Sequence, residues 1–197
     1  MQVKLEKTFP IEAPPDAGWK FLQDIPAVAA CMPGAEITET IDDSHYKGKI
    51  KAKIGPASMA FNGDLAVQGI DAGKRELHMI GKGQDTKGTS TAEMDLTATV
   101  VDAQNGFELQ GSATVTVNGK AASLGGRMMT QVADQILNQF GKNFANNVMA
   151  LGGGKGAEEA REQLAEQPRE LNGLAFAWSV IVGFFKSLFG AGKAKAG

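Results

Sequence analysis

Apolar and polar residues alternate along much of the first 118 positions of the chain. The first such segment places every second residue on one side: Val3, Leu5, Lys7, Phe9 and Ile11. Successive side chains of a strand point to opposite faces of a sheet, so a period of two predicts a β-strand. Six further strands are predicted between residues 35 and 118. One apolar and one polar face per strand is typical of an antiparallel sheet with one face in water.

Two short helices are predicted between the first strand and the second. Pro14 and Pro15 precede the first helix, since proline is favoured at helix starts. The second helix follows Asp24 and Pro26. The segment Cys31-Met32-Pro33-Gly34 ends it, because proline and glycine interrupt helices.

A long amphipathic helix is predicted from about Ala121 to Leu151. Its apolar stripe repeats every four residues: Leu124, Met128, Val132, Ile136, Phe140, Phe144 and Val148. Asp134 is among the polar residues predicted to face away from this stripe. A sheet with one apolar face needs a cover, and this helix is long enough to cross it. The sequence therefore predicts an α+β fold in which a curved seven-stranded antiparallel sheet wraps around the long helix.

Flexible and small side chains predict a ligand cavity between the sheet and the helix. Methionine adapts to irregular apolar ligands, and inward glycines and alanines leave volume unfilled. The predicted lining residues are Met59, Phe61, Met79, Met94, Leu96, Leu109, Leu124, Met128, Val132 and Ile136. Plain core packing is the alternative for each methionine. Arg127, beside the helix stripe, is the candidate head-group contact, with a surface arginine or a salt bridge as the alternative.

A second apolar segment follows a glycine-rich break. We expect a binding domain at 1–151, a flexible linker at 152–170 and a membrane-associating tail helix at 171–197. The tail residues expected to enter the bilayer are Leu174, Trp178, Ile181, Phe184, Phe185, Leu188 and Phe189. The tail is predicted either to lie in the interface or to span the membrane. A helix that returns to the core is the remaining alternative.

Composition narrows the function classes. The net charge of −2 gives no reason to expect a nucleic-acid partner. The single cysteine, Cys31, requires no oxidising compartment, and the N-terminus lacks a secretory signal pattern, so a cytoplasmic location is expected. His45 and His78 lack partners at metal-ligand spacing, so no metal site is predicted. No nucleophile with a base partner emerges, so no catalytic residue is predicted.

Four stretches carry a family resemblance, and the resemblance extends over residues 1 to about 151. They are Cys31 to Ala35, Gly48 to Pro56, Phe61 to Asp64 and Asn118 to Arg127. In this order the chain resembles the START/Bet v 1-like helix-grip (SRPBCC) domains, and within them the CoxG family of carbon monoxide dehydrogenase subunits. The resemblance implies a hydrophobic cavity. It also implies a role beside a molybdenum-containing carbon monoxide dehydrogenase or a related hydroxylase.

Three functional hypotheses follow from the sequence and the resemblance. The first is a non-catalytic carrier of a quinone-like lipid, menaquinone or ubiquinone, held at the inner face of the cell membrane as a peripheral or tail-anchored protein. The second is an adaptor that anchors the dehydrogenase and carries no ligand. The third is an enzyme, since helix-grip domains include cyclases and hydrolases.

Overall fold

The computed structural model describes residues 1–54 and 57–152 of the chain. Within these residues, seven strands and three α-helices follow one another in the predicted order. Their bounds are β1 Gln2–Ile11, α1 Pro15–Leu22, α2 Ile25–Cys31, β2 Ala35–Thr40, β3 His45–Ile54, β4 Ala57–Asp71, β5 Glu76–Asp85, β6 Ser90–Ala103, β7 Gly106–Gly119 and α3 Gly126–Gly152. A 3-10 turn, Lys120–Leu124, connects β7 to α3.

All seven strands pair antiparallel in one sheet of order β1-β7-β6-β5-β4-β3-β2. The last strand in the chain therefore returns to pair with the first, and β1 and β2 form the two edges. With two short helices after β1 and a long helix after β7, the predicted α+β helix-grip class is confirmed.

The strand register separates an inner face from an outer face of the sheet. Directly paired residues share a face, and one row runs through Leu5, Ala113, Leu96, Met79 and Val67 across five strands. We call this apolar side, against which the helices pack, the inner face.

The outer face carries paired charges. Lys47 binds Glu39 and Lys49 binds Glu36, each with an N–O distance of 2.9 Å between β3 and β2. These two lysines of β3 are thus neutralised by the glutamates of the neighbouring edge strand. Exposed pairs of this kind contribute little to stability.

The long helix begins later than predicted. The sequence pattern places its start near Ala121, but residues 120–124 form a 3-10 turn and α3 begins at Gly126. Gly125 separates the two with a φ of +79°, a conformation that glycine adopts without strain. The four-residue spacing from Leu124 to Met128 continues across this break, so spacing alone could not reveal it.

A tightly packed core fills one end of the space between the sheet and the helices. Phe144 and Val148 of α3 are fully buried there, and the ring of Phe21 meets Phe144 edge to face with centroids 5.0 Å apart. From the sheet, Leu77 and Phe107 complete this core. We call this the closed end. It anchors α1, α2 and the C-terminal half of α3 to the sheet.

Candidate ligand-binding site

The inner face is unevenly covered along its length. At the closed end its residues are buried, whereas toward the β5–β6 turn Phe61, Leu65 and Met94 are only partly buried. In the N-terminal half of α3, Val132 and Ile136 are likewise only partly buried, and the helix packs against β1 beside this region. We call this less covered region the open end. Apolar surface left accessible between two elements is what an apolar ligand requires.

The structure divides the predicted lining residues between the two ends. Met79 and Leu109, with 6% and 3% of their surface exposed, belong to the packed core. Met128 is 44% exposed in the first turns of α3. The remaining residues are partly buried: Met59, Phe61, Met94, Leu96, Leu124, Val132 and Ile136. All six strand residues lie on the inner face, since each occupies an inner-face position of the strand register.

Two glycines on the inner face, Gly111 and Gly63, have different roles. A Cβ at Gly111 would meet only the carbonyl oxygen of Lys7, at 4.0 Å, so the space above Gly111 is open. A Cβ at Gly63 would instead overlap the carbonyl of Lys82 on the neighbouring strand. Gly63 is therefore explained by strand packing, and Gly111 is the glycine that leaves volume on the inner face.

An ion pair joins the edge strand β1 to α3 within this region. Lys7 lies opposite Gly111 on the inner face, and its Nζ is 2.8 Å from Oδ1 of Asp134. The two side chains are 30% and 45% exposed. Asp134 was predicted to face away from the apolar stripe, and the structure shows that this prediction was wrong. The sequence does mark Lys7, because it is a charged residue on the side of β1 that otherwise carries apolar residues.

Arg127 lies exposed in the first turn of α3, next to Met128. The start of the helix therefore brings it toward the open end. Its role as a head-group contact stays a prediction.

The Cys-Met-Pro-Gly segment has a structural role in the residues described. Asn143 of α3 donates a hydrogen bond of 2.8 Å to the carbonyl of Cys31. Gly34 has a φ of +77°, and its carbonyl accepts a hydrogen bond from the amide of Lys51 in β3. These contacts fasten the end of α2 to both α3 and the sheet.

The Cys31 thiol is poorly suited to nucleophilic chemistry. Burial raises its pKa to about 12, which a hydrogen bond from Asn147 only partly offsets. The thiolate is the nucleophilic form of cysteine, so a pKa this high keeps the group unreactive at neutral pH.

The Asn-Gly-Lys-Ala segment after β7 is locked to the β5–β6 turn. The amide of Ala121 donates to Oγ of Ser90 at 2.9 Å, and Gly119 adopts a φ of +74° beside Thr89. In the same turn, burial acts to raise the pKa of Asp85, but hydrogen bonds from Ser90 and Thr89 outweigh it and lower the pKa. The turn is thus a hydrogen-bonded rim at the open end.

A shallow polar groove of about 600 Å³ lies apart from the predicted cavity, at the closed end. Arg75 lies in this groove and bridges Asp16 and Asp102 at 2.7 and 2.6 Å. Sequence reasoning did not identify this arrangement, because the three residues are far apart in the chain. The groove shares no residue with the predicted ligand site.

Metal sites, the two histidines and membrane-spanning helices can be assessed only among the residues that the structure describes. Among residues 1–54 and 57–152, no three His, Cys, Asp or Glu side chains are grouped to hold a metal ion. His45 contacts Asp42 at 3.0 Å, and His78 contacts Asp95 at 2.8 Å on the outer face. Within the same residues, no helix has the length and apolar character needed to cross a bilayer. The predicted tail and almost all of the predicted linker lie outside the described residues.

Solved structures share this fold at low sequence identity. A conserved protein from Geobacillus kaustophilus superposes with a TM-score of 0.64 at 17% identity, covering 75% of this chain and 95% of that chain. A START superfamily protein from Mycobacterium smegmatis gives 0.51 at 16%, covering 76% and 98%. The Zhui aromatase/cyclase from Streptomyces sp. R1128 gives 0.51 at 13%, covering 75% and 94%. At such identities the likeness shows the fold alone.

Sequence comparison adds the family. A search of curated proteins finds none with significant similarity to this chain. The family model for CoxG, a carbon monoxide dehydrogenase subunit, however, matches residues 8–149. That match runs from β1 through the sheet and both short helices to the buried half of α3, and includes all four of the stretches that carry the resemblance. The chain therefore belongs to the CoxG family of carbon monoxide dehydrogenase subunits.

Proposed function

We propose that this protein binds a quinone-like lipid, menaquinone or ubiquinone, between the inner face of the sheet and the N-terminal half of α3. The observation that carries the proposal is the uneven covering of the inner face. The closed end is packed solid around Phe144, whereas Phe61, Met94 and Leu96 at the open end remain partly accessible. Burying such apolar surface against a ligand is worth roughly 25 cal/mol per Å².

The partner we propose is a molybdenum-containing carbon monoxide dehydrogenase or a related hydroxylase. The support is the description of the matching family, whose members are named as a subunit of carbon monoxide dehydrogenase. A quinone is a chemically suitable ligand for such a partner, because it accepts electrons and its prenyl chain fits an apolar site.

A non-catalytic role is supported by the chemistry of the described residues. The thiol of Cys31 is buried, both histidines pair with carboxylates, and Asp102 pairs with Arg75. None of these groups lies among the partly accessible residues of the open end. One structural neighbour is an aromatase/cyclase, so an enzymatic role remains an outcome to be tested.

We further propose that residues 171–197 hold the protein at the inner face of the cell membrane, joined to the binding domain at 1–151 by a linker at 152–170. The support is the sequence of residues 171–189, in which Lys186 is the only charged residue. Attachment at the bilayer would let the ligand pass between the membrane and the enzyme.

Organic extraction of the purified full-length protein tests the proposal. The protein is produced in bacteria that make both quinones, and the extract is analysed by liquid chromatography and mass spectrometry. We expect menaquinone or ubiquinone in an amount comparable to the protein. A protein that binds the dehydrogenase but carries no quinone supports the adaptor hypothesis. Conversion of a bound molecule into a product supports the enzymatic one.

A further inference from the structure

We infer that Lys7 donates a hydrogen bond to an oxygen of the bound ligand, and that Asp134 positions its ammonium group. This inference rests on the proposed function, since it assigns the polar contact of the same site. It differs from the expectation that Arg127 supplies this contact.

Lys7 is a charged residue on an otherwise apolar surface. Asp85 and Asp102 mark the two ends of the inner face. Among the positions between them that the structure describes, Lys7 is the one that carries a charge. Its neighbours on the same face of β1 are Leu5 and Phe9. A lysine at such a position loses hydration that a surface position would leave intact, so a structural or binding role is needed to explain it.

Open volume lies directly beside this lysine. Its partner across the strand pair is Gly111, which in turn lies opposite Ala98 on β6, and Ala113 is the next inner-face residue of β7. Gly111 and Ala113 form a shallow floor next to Lys7, and the buried Ala98 marks where the packed core begins beside it. A Cβ at Gly111 would contact nothing but the Lys7 carbonyl within 4 Å. A planar ligand head over this floor would lie within reach of the ammonium group.

The ion pair to Asp134 leaves the ammonium able to bind a ligand. Lysine has three N–H donors, so one carboxylate oxygen at 2.8 Å does not exhaust them. The contact also directs the lysine chain toward α3, at the edge of the region that the ligand would occupy. The ligand class is therefore an apolar molecule with an oxygen acceptor on its head. Its tail would run along Leu96 and Met94 toward the open end.

Two ligands with one carbon skeleton test this assignment on the full-length protein. The first is a naphthoquinone with a geranyl chain, and the second is the matching naphthalene without the two carbonyl oxygens. Dissociation constants are measured by titration calorimetry for the unmodified protein, Lys7→Met, Asp134→Asn and the control Lys82→Met. Lys82 forms a similar pair with Glu93, at 2.7 Å, on the outer face.

We expect Lys7→Met to weaken quinone binding by about tenfold or more, as for loss of a charged hydrogen bond, with naphthalene binding unchanged. Asp134→Asn should also weaken quinone binding, by less than Lys7→Met does, because an amide holds the ammonium less firmly than a carboxylate. Lys82→Met should leave the binding of both ligands unchanged. Equal losses for both ligands in Lys7→Met or in Asp134→Asn would mean that the pair only fastens the helix. That result, or an unchanged Lys7→Met, overturns the inference while leaving the proposed function intact. An unmodified protein that binds neither ligand overturns the proposed function itself.

Discussion

A glycine in the middle of α3 lets the helix lie directly on the sheet. Glycine destabilises a helix interior by roughly 1 kcal/mol relative to alanine, so its presence there calls for a steric reason. At position 141 a Cβ would overlap the ring of Phe9 on β1. The absence of one methyl group at this crossing thus sets how closely the helix approaches the edge strand.

Gly141→Ala is expected to destabilise the protein by about 1–3 kcal/mol, because the Phe9 ring must shift or the helix must move outward. The free energy of unfolding in urea measures this. Gly126→Ala is the matched control in the same helix, since its Cβ would find only Met1 Sδ, at 4.0 Å. The control should be neutral or slightly stabilising. Two variants of equal stability would contradict the steric explanation.

The buried thiol of Cys31 predicts a specific loss of stability at high pH. Its pKa of about 12 in the folded protein exceeds the ordinary value of 9.0. Between these values the unfolded chain releases the proton and the folded protein retains it. The unfolded state then binds fewer protons, so the free energy of unfolding falls as pH rises.

Cys31→Ala removes this pH dependence. Below pH 9 the variant should be less stable by a constant amount, because a buried side chain is truncated. From pH 9 upward the difference should narrow by as much as about 1.4 kcal/mol per pH unit. Urea unfolding at intervals of half a pH unit from 7 to 11 measures the difference. A constant difference over the whole range would show that the folded thiol titrates normally.

At the scale of elements, α3 serves two purposes along its length. Its C-terminal half is packed into the core through Phe144 and Val148, whereas in its N-terminal half Val132 and Ile136 are only partly buried and Met128 is exposed. Sequence periodicity predicted one continuous stripe. It could not reveal where the stripe meets a packed core and where it meets open volume, since both positions require apolar residues.

Filling the open volume should remove ligand binding without unfolding the protein. In Gly111→Leu the new side chain would enter the space beside Lys7, where a Cβ meets no side chain within 4 Å. We expect quinone co-purification to fall at least tenfold, because the ligand and the leucine compete for the same volume. The thermal unfolding midpoint should change little.

Gly69→Leu is the control for that substitution. Gly69 lies on β4 beside the register shift that begins at Val67, is exposed, and a Cβ there would meet no atom within 4 Å. Quinone content should be unaffected in this variant. If Gly111→Leu binds quinone as well as Gly69→Leu does, the ligand does not lie on the predicted floor.

At the scale of the whole molecule, the tail is expected to decide where the protein is found. Deleting residues 171–197 should move it from the membrane pellet to the supernatant after ultracentrifugation, because the deleted segment supplies the apolar surface for the bilayer. Circular dichroism should show an unchanged fold. The double substitution Phe184→Glu and Phe185→Glu should act in the same direction. A truncated protein that still sediments with membranes would contradict the proposed role of the tail.

The fold could be predicted because its determinants are local and repeated. Alternation predicted the strands and put the lining residues named from it on the inner face, and the resemblance in the Cys31 and Asn118 segments supplied the topology. Alternation did not predict the register shifts between Ile37 and Glu39 and between Val67 and Gly69. Three features could not be predicted in this way. The break at Gly125 depends on one backbone angle, the Lys7–Asp134 pair joins residues far apart in sequence, and the position of the core depends on how the helices pack. The quinone site and the tail stay predictions.

The two edges of the sheet differ in a way that bears on self-association. At one edge, α3 packs against β1. The opposite edge, β2, has six residues, a register shift between Ile37 and Glu39, and glutamates paired to the lysines of β3. A short, irregular and charged edge is a poor template for another strand. Copies of the protein concentrated at a bilayer would therefore resist joining edge to edge into larger β-aggregates.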